Sequence, residues 1–162
     1  MKNTLLLALM IFCASAGAQT FRFAADGSTD FMVRFAGHRK AIALYSSAEK
    51  WIRKNNHNEQ NVFRSHIQGK SITFAGILPS VIQRQGTTYD AAYLIELHFK
   101  NGKYRVRYLH QSLLQGKKRA ALTLDQALSE KPSAENHWRN PKLQYEAAVN
   151  KLLNSLHRSM SD

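Results

Sequence analysis

Two alternating runs meet at Asn101-Gly102, and no other stretch restricts the fold as tightly. Asn-Gly is the preferred pair for a two-residue type I′ turn, because both central residues need positive φ there. The stretch AAYLIELHFKNGKYRVRYLHQSL therefore reads as a β-hairpin whose register follows from its turn. Phe99 opposes Tyr104, Leu97 opposes Val106 and Ile95 opposes Tyr108, an aromatic and aliphatic side that must be buried. On the reverse His98 opposes Arg105, Leu94 opposes Leu109, and Glu96 opposes Arg107 as a cross-strand ion pair.

A buried sheet side needs a cover, and two stretches have the period to supply it. From Arg39 to Asn55 the apolar residues Ala41, Leu44, Tyr45, Ala48, Trp51 and Ile52 form one stripe at 3.6-residue spacing, which predicts an amphipathic helix. Asn140-Pro141, a cap followed by proline at the first helical position, predicts a second helix over 141–158 with a stripe of Tyr145, Ala148, Val149, Leu152, Leu156 and Met160. Thr123 to Ser129 reads as two further helical turns, ended by Pro132.

More strands flank the first helix. Phe21 and Phe23 alternate with Arg22, and Phe31, Val33 and Phe35 alternate with Met32 and Arg34, which predicts a leading hairpin. QNVFRSHI and KSITFAGI flank Gln68-Gly69; a two-residue turn there sets Phe63 opposite Phe74 and Ser65 opposite Ile72, with Arg64, His66, Ser71 and Thr73 on the other side. Ile77 to Ala91, punctuated by Pro79 and Gly86, shows no periodicity. The expected class is α+β: an antiparallel sheet with two main helices packed on one face and the other face wet.

The first 18 residues read as a cleavable secretory leader. Lys2 precedes an apolar run from Leu5 to Cys13 and the small residues Ala14 to Ala18, with cleavage after Ala16 or Ala18. The run is far short of the roughly 20 residues that span a bilayer, and Ile11 and Phe12 stand where a lipid-anchor signal has small residues. Residues 19–162 are then one exported domain without cysteine, placed in the periplasm or at the cell surface and held by its core alone. Loss of Lys2 leaves 22 basic against 11 acidic residues, a net +11. Such a balance favours an anionic partner: a polysaccharide, a lipid headgroup, an acidic protein, here of the envelope, or a nucleic acid.

LYSSAEKWIRKN, the hairpin with FKNGKYRVRY, and the C-terminal amphipathic helix together resemble a secreted Gram-negative bacterial domain of unknown function. The resemblance runs from about Phe31 to Leu156. It implies a fold similar to the TATA-box-binding protein, a curved antiparallel sheet backed by helices. Its motifs are packing and turn features, so it transfers no active site.

Motifs that carry chemistry are absent from the sequence: no H-E-x-x-H pair, no G-x-S-x-G elbow and no glycine-rich phosphate loop. The seven histidines are scattered, and a zinc site from His66 and His98 would need adjacent strands and a third ligand. The reading is therefore non-enzymatic, with no catalytic residue, cofactor or metal. Candidate contacts to an anionic partner lie on the wet face at Arg34, Arg64, His66, His98, Arg105 and Arg107. The same residues are equally consistent with a merely solvated face. A binding module fits best, with an assembly partner of another envelope protein and then an enzyme whose site the sequence does not reveal as the alternatives; duplex DNA is set aside because TATA-box recognition uses apolar wedges and an exported protein rarely meets duplex DNA.

Overall fold

The computed structural model describes residues 20–23, 30–56, 62–84, 86–129 and 140–161. The leader and both its cleavage sites lie outside them. The elements are β1 (Met32–Phe35), α1 (Ala41–Asn55), β2 (Phe63–Ile67), β3 (Ser71–Arg84), β4 (Thr87–Lys100), β5 (Lys103–Gln115), β6 (Lys118–Arg119), α2 (Leu124–Leu128) and α3 (Pro141–Ser161). They form one antiparallel sheet in the order β1-β5-β4-β3-β2, with β6 pairing β5. The α+β class and the placement of both long helices on the sheet are as the sequence implies.

The core lies between that sheet and the pair α1 and α3. Leu44, Tyr45, Ala48, Trp51 and Ile52 are buried from α1, as the stripe requires. On α3 the buried line is Pro141, Tyr145, Val149, Leu153, Leu156 and Met160, so Leu153 replaces the expected Leu152 at the centre. Trp51 packs edge-on against Phe74 and donates its indole N–H to Ser155 Oγ at 3.1 Å, which joins the two helices. Asn140 Oδ1 accepts from the backbone of Lys142 at 2.9 Å, the cap expected at the start of α3.

The β4–β5 register is the expected one throughout Ile95–Phe99, but the turn is not type I′. Gly102 has φ +75°, whereas Asn101 is not in the positive region, the sign pattern of a type II turn. Asn101 is held otherwise because its side chain works elsewhere: Oδ1 accepts from Ala41 N at 2.9 Å and so caps α1. The N-cap position, Lys40, offers no side-chain bond of its own.

Three expectations are corrected. Phe21 and Phe23 form no strand; their amides donate to Asn150 and Glu146 of α3 at 2.8 and 3.0 Å, and their rings bury against Tyr108 and Tyr145. In β1 the buried positions are Met32 and Arg34, while Val33 and Phe35 are exposed. The β2–β3 connection pairs Ile67 with Ser71 rather than with Lys70, and a bulge at Arg64 restores Phe63 opposite Phe74. Between the two irregularities the strand is slipped by one, which turns His66 to the helix side and Ser65 to the open side.

Ile77 to Ala91, where no period was readable, is the far half of the β3–β4 hairpin. Pro79 and a Ser80 at φ +53° break the ladder between Leu78 and Ile82. After that break both Val81 and Ile82 are buried, and Ser80 N is satisfied by Asp90 Oδ1 at 2.8 Å. The irregularity hides the alternation.

Candidate functional site

The sheet face away from the helices is open, and its ladders set side chains in transverse rows. Directly opposed residues share a face, so Phe35, Lys103 and Lys100 form the terminal row. The next row crosses five strands as Val33, Arg105, His98, Ser71 and Ile67. The third contains Arg107, Glu96, Thr73 and Ser65. At about 4.8 Å per strand the five-strand row is about 19 Å wide.

Three of the six candidate residues come together in these rows around one ring. Arg105 Cζ lies 4.5 Å and Arg107 Cζ 4.7 Å from the centre of Phe31, and the His98 imidazole meets the same ring edge-on at 5.4 Å. Arg107 is also committed to a carboxylate: its Nε and Nη2 donate to Glu96 Oε2 at 3.0 and 2.7 Å. Arg105, Lys100, Lys103 and His98 are exposed. Phe31 thus holds two guanidiniums in place on the open face without neutralising either.

The other three candidates lie elsewhere. Arg64 is the bulged residue of β2; it is exposed and lines a hollow of about 570 Å³ with Ala75, Ile77, Ala92 and Leu94. His66 and Arg34 are on the helix side, which corrects both assignments. His66 Nδ1 is 3.0 Å from the Tyr45 hydroxyl. Arg34 is only 3% exposed, beside Tyr104, with Nε and Nη1 lacking hydrogen-bond partners. His66 and His98 lie on opposite faces, so they cannot share a metal ion, and no group of three or more potential ligands occurs among the described residues.

The sequence shows the histidines only as scattered residues and does not reveal what three of them do. His66, His157 and His110 each place Nδ1 within 2.8–3.0 Å of a core tyrosine hydroxyl, those of Tyr45, Tyr104 and Tyr145. Tyr145 continues the chain to Tyr108 at 2.8 Å. Buried hydroxyls need partners, and at the rim of a tyrosine-rich core an imidazole supplies them. Desolvation raises the pKa of Tyr108 and Tyr145 well above the ordinary phenol value, and that of Tyr93 to about 12. These groups are neutral phenols at physiological pH and offer no base or nucleophile. Burial pulls His110 down to about 4, against a smaller opposing pull from Asp125.

Comparison with known proteins adds the fold. No family model matches the chain, and no curated protein does. Among solved structures, a TBP-like protein from Parabacteroides distasonis superposes with a TM-score of 0.60 at 10% identity, covering 83% of this chain and 92% of its own. A DUF4468 family protein from Bacteroides ovatus gives 0.58 at 11% identity, covering 83% and 86%. Likeness at such identities concerns architecture: the chain has the TBP-like α+β fold, and these relatives bring no activity with them.

Proposed function

We propose that the chain is a non-catalytic binding module of the bacterial cell envelope, exported as a single domain by the leader at residues 1–18, and that it holds an anionic partner on the basic end of its open sheet face. One observation carries this reading. Arg105, Lys103 and Lys100 stand exposed in two adjacent rows, while the carboxylate beside them, Glu96, is already taken by Arg107. Cations arranged on a rigid sheet and left facing solvent favour an anionic partner over mere solubility, since their field adds and needs no reorganisation. Phe31 beneath the arginines gives the same surface an aromatic floor.

The test is a charge reversal. Lys103→Glu with Arg105→Glu changes the surface by four charge units at exposed positions, so the unfolding free energy from urea titration should stay within the usual surface-substitution range of about 0.5 kcal/mol each. Binding of the parent to soluble polyphosphate or anionic envelope polysaccharide should weaken as salt shortens the Debye length to about 8 Å. In the double variant it should drop by more than about tenfold. Recovery from a periplasmic extract of a chain beginning at Gln19 checks the export half. A parent that binds no polyanion, or a double variant that binds as the parent does, would return this face to plain solvated surface.

A further inference from the structure

The basic rows end at a pole of the molecule that the sequence does not reveal, because three loops far apart in the chain build it. Ala36 N donates to Gly102 O at 2.8 Å, Gly102 N to Arg39 O at 2.8 Å, and Phe99 N to Lys70 O at 2.8 Å. Ala41 N donates to Asn101 Oδ1 at 2.9 Å. The β1–α1 connection is thus bonded to the β4–β5 turn, and the β2–β3 loop to the end of β4 just before that turn.

That pole exposes apolar side chains and lysines together. Of the six large hydrophobic residues exposed among the described residues, four are here: Phe35 at 69%, Ile67 at 58%, Ile42 at 45% and Val33 at 37%. Ile42 lies against Gly69 of the β2–β3 loop, two residues along the chain from Ile67. Interleaved with them are Lys40, Lys70, Lys100 and Lys103, all exposed, and the segments 31–46, 65–72 and 98–105 contain no aspartate or glutamate. The last turn of α3 reaches the same pole, where Arg39 Nη1 donates to Met160 O at 2.8 Å, and contributes Arg158.

We infer that this pole docks on an anionic lipid membrane surface. The inference rests on the reading of the basic end as the binding surface and names its partner. A soluble polyanion requires cations alone, whereas this pole exposes apolar side chains at both edges of the sheet, Val33 and Phe35 on β1 and Ile67 with Ile42 about 19 Å across, on either side of the lysines. An anionic bilayer satisfies both chemistries. Phe35, Val33, Ile42 and Ile67 enter the boundary between headgroups and acyl chains, and the lysines, with long flexible stems, meet the phosphates around them. The mode is peripheral: among the described residues no helix is long and apolar enough to cross a membrane. Because the loops are already tied into the fold by these bonds, little order has to be created on docking.

Co-sedimentation of the purified chain with vesicles of phosphatidylcholine, with and without phosphatidylglycerol, tests the inference. Binding should require phosphatidylglycerol. Lys70→Gln with Lys100→Gln should weaken it about twenty-five-fold, from about fivefold per lysine near an anionic surface. Phe35→Ser with Ile67→Ser should weaken it about tenfold or more with charge unchanged, while Leu143→Ser, at the exposed start of α3 on the opposite end, should leave it as it is. Thermal melts of each variant separate lost docking from lost folding. If polyphosphate binds but vesicle binding ignores Phe35 and Ile67, the membrane inference is overturned and the anionic-partner reading stands. If neither polyphosphate nor vesicles bind, both are overturned.

Discussion

Gly102 is the residue on which the pole and the first helix both depend, and replacing it by alanine tests whether the β1–α1 and β4–β5 connections meet as described. Two costs arise. The first is conformational: φ is +75°, a region that a residue with a Cβ occupies at about 1 kcal/mol or more. The second is steric: a Cβ built at this position lies 2.7 Å from the Gly37 carbonyl oxygen, closer than real Cβ atoms come to anything. The neighbour is backbone, so relief requires moving the β1–α1 loop against the Ala36–Gly102 and Gly102–Arg39 bonds. At about 0.5–1.5 kcal/mol for each bond weakened, the total is about 2–4 kcal/mol. Gly116 supplies the control, since its φ is +61° but nothing lies within 4 Å of its would-be Cβ, and Gly116→Ala should cost only about 1 kcal/mol. With a urea dependence near 2 kcal/mol per molar, the two midpoints should differ by about 1 M. Equal midpoints for the two variants would mean that the loops do not approach as closely as the structure has them.

Two further outcomes follow from the buried polar groups. Arg34→Met should leave the urea midpoint unchanged or raise it, because Nε and Nη1 are buried without partners and a buried charge without compensation costs more than a hydrophobic replacement; a loss above about 2 kcal/mol would show that the guanidinium is compensated. The same variant should raise the pKa of His157 by NMR titration, since burial first and the Arg34 charge second hold it down. His110 is depressed from 6.5 to about 4, so between those values the unfolded chain binds the extra proton. Its contribution is complete above pH 6.5 and is lost as pH falls toward 4, by about 1–2 kcal/mol once discounted for partial exposure. His110→Gln should therefore flatten the fall of the urea midpoint between pH 7 and 4, and an unchanged slope would place the depression elsewhere.

The fold was legible where a single period governs an uninterrupted element. Five of the six residues of the α1 stripe are buried, and the register from Ile95 to Phe99 follows from one turn. Legibility ended where backbone irregularity resets the alternation. The bulge at Arg64 and the three-residue loop at Gly69 cancel each other at Phe63 yet exchange the faces of Ser65 and His66, and nothing in the side chains signals it. β1 failed for a different reason. With Phe31, Val33 and Phe35 on one side and Met32 and Arg34 on the other, hydrophobicity puts the aromatic side inside, yet pairing of Arg34 with Tyr104 puts Arg34 there instead.

That inversion of β1 links the fold to the surface proposed to bind. Had the strand lain as its hydrophobicity suggests, Phe31, Val33 and Phe35 would be core residues and Arg34 would be one more exposed cation. Instead Arg34 is buried with Nε and Nη1 unpartnered while three apolar side chains face outward, one of them as the ring beneath Arg105 and Arg107. Such a local contradiction between pattern and structure costs stability, and contradictions of that kind concentrate where a protein does its work. The single strand that breaks the rule of its own sequence also supplies Phe35 and Val33 to the lysine-rich pole, which is why the exposed apolar residues there, Phe35 foremost, rather than the lysines alone, decide between a membrane and any other anionic partner.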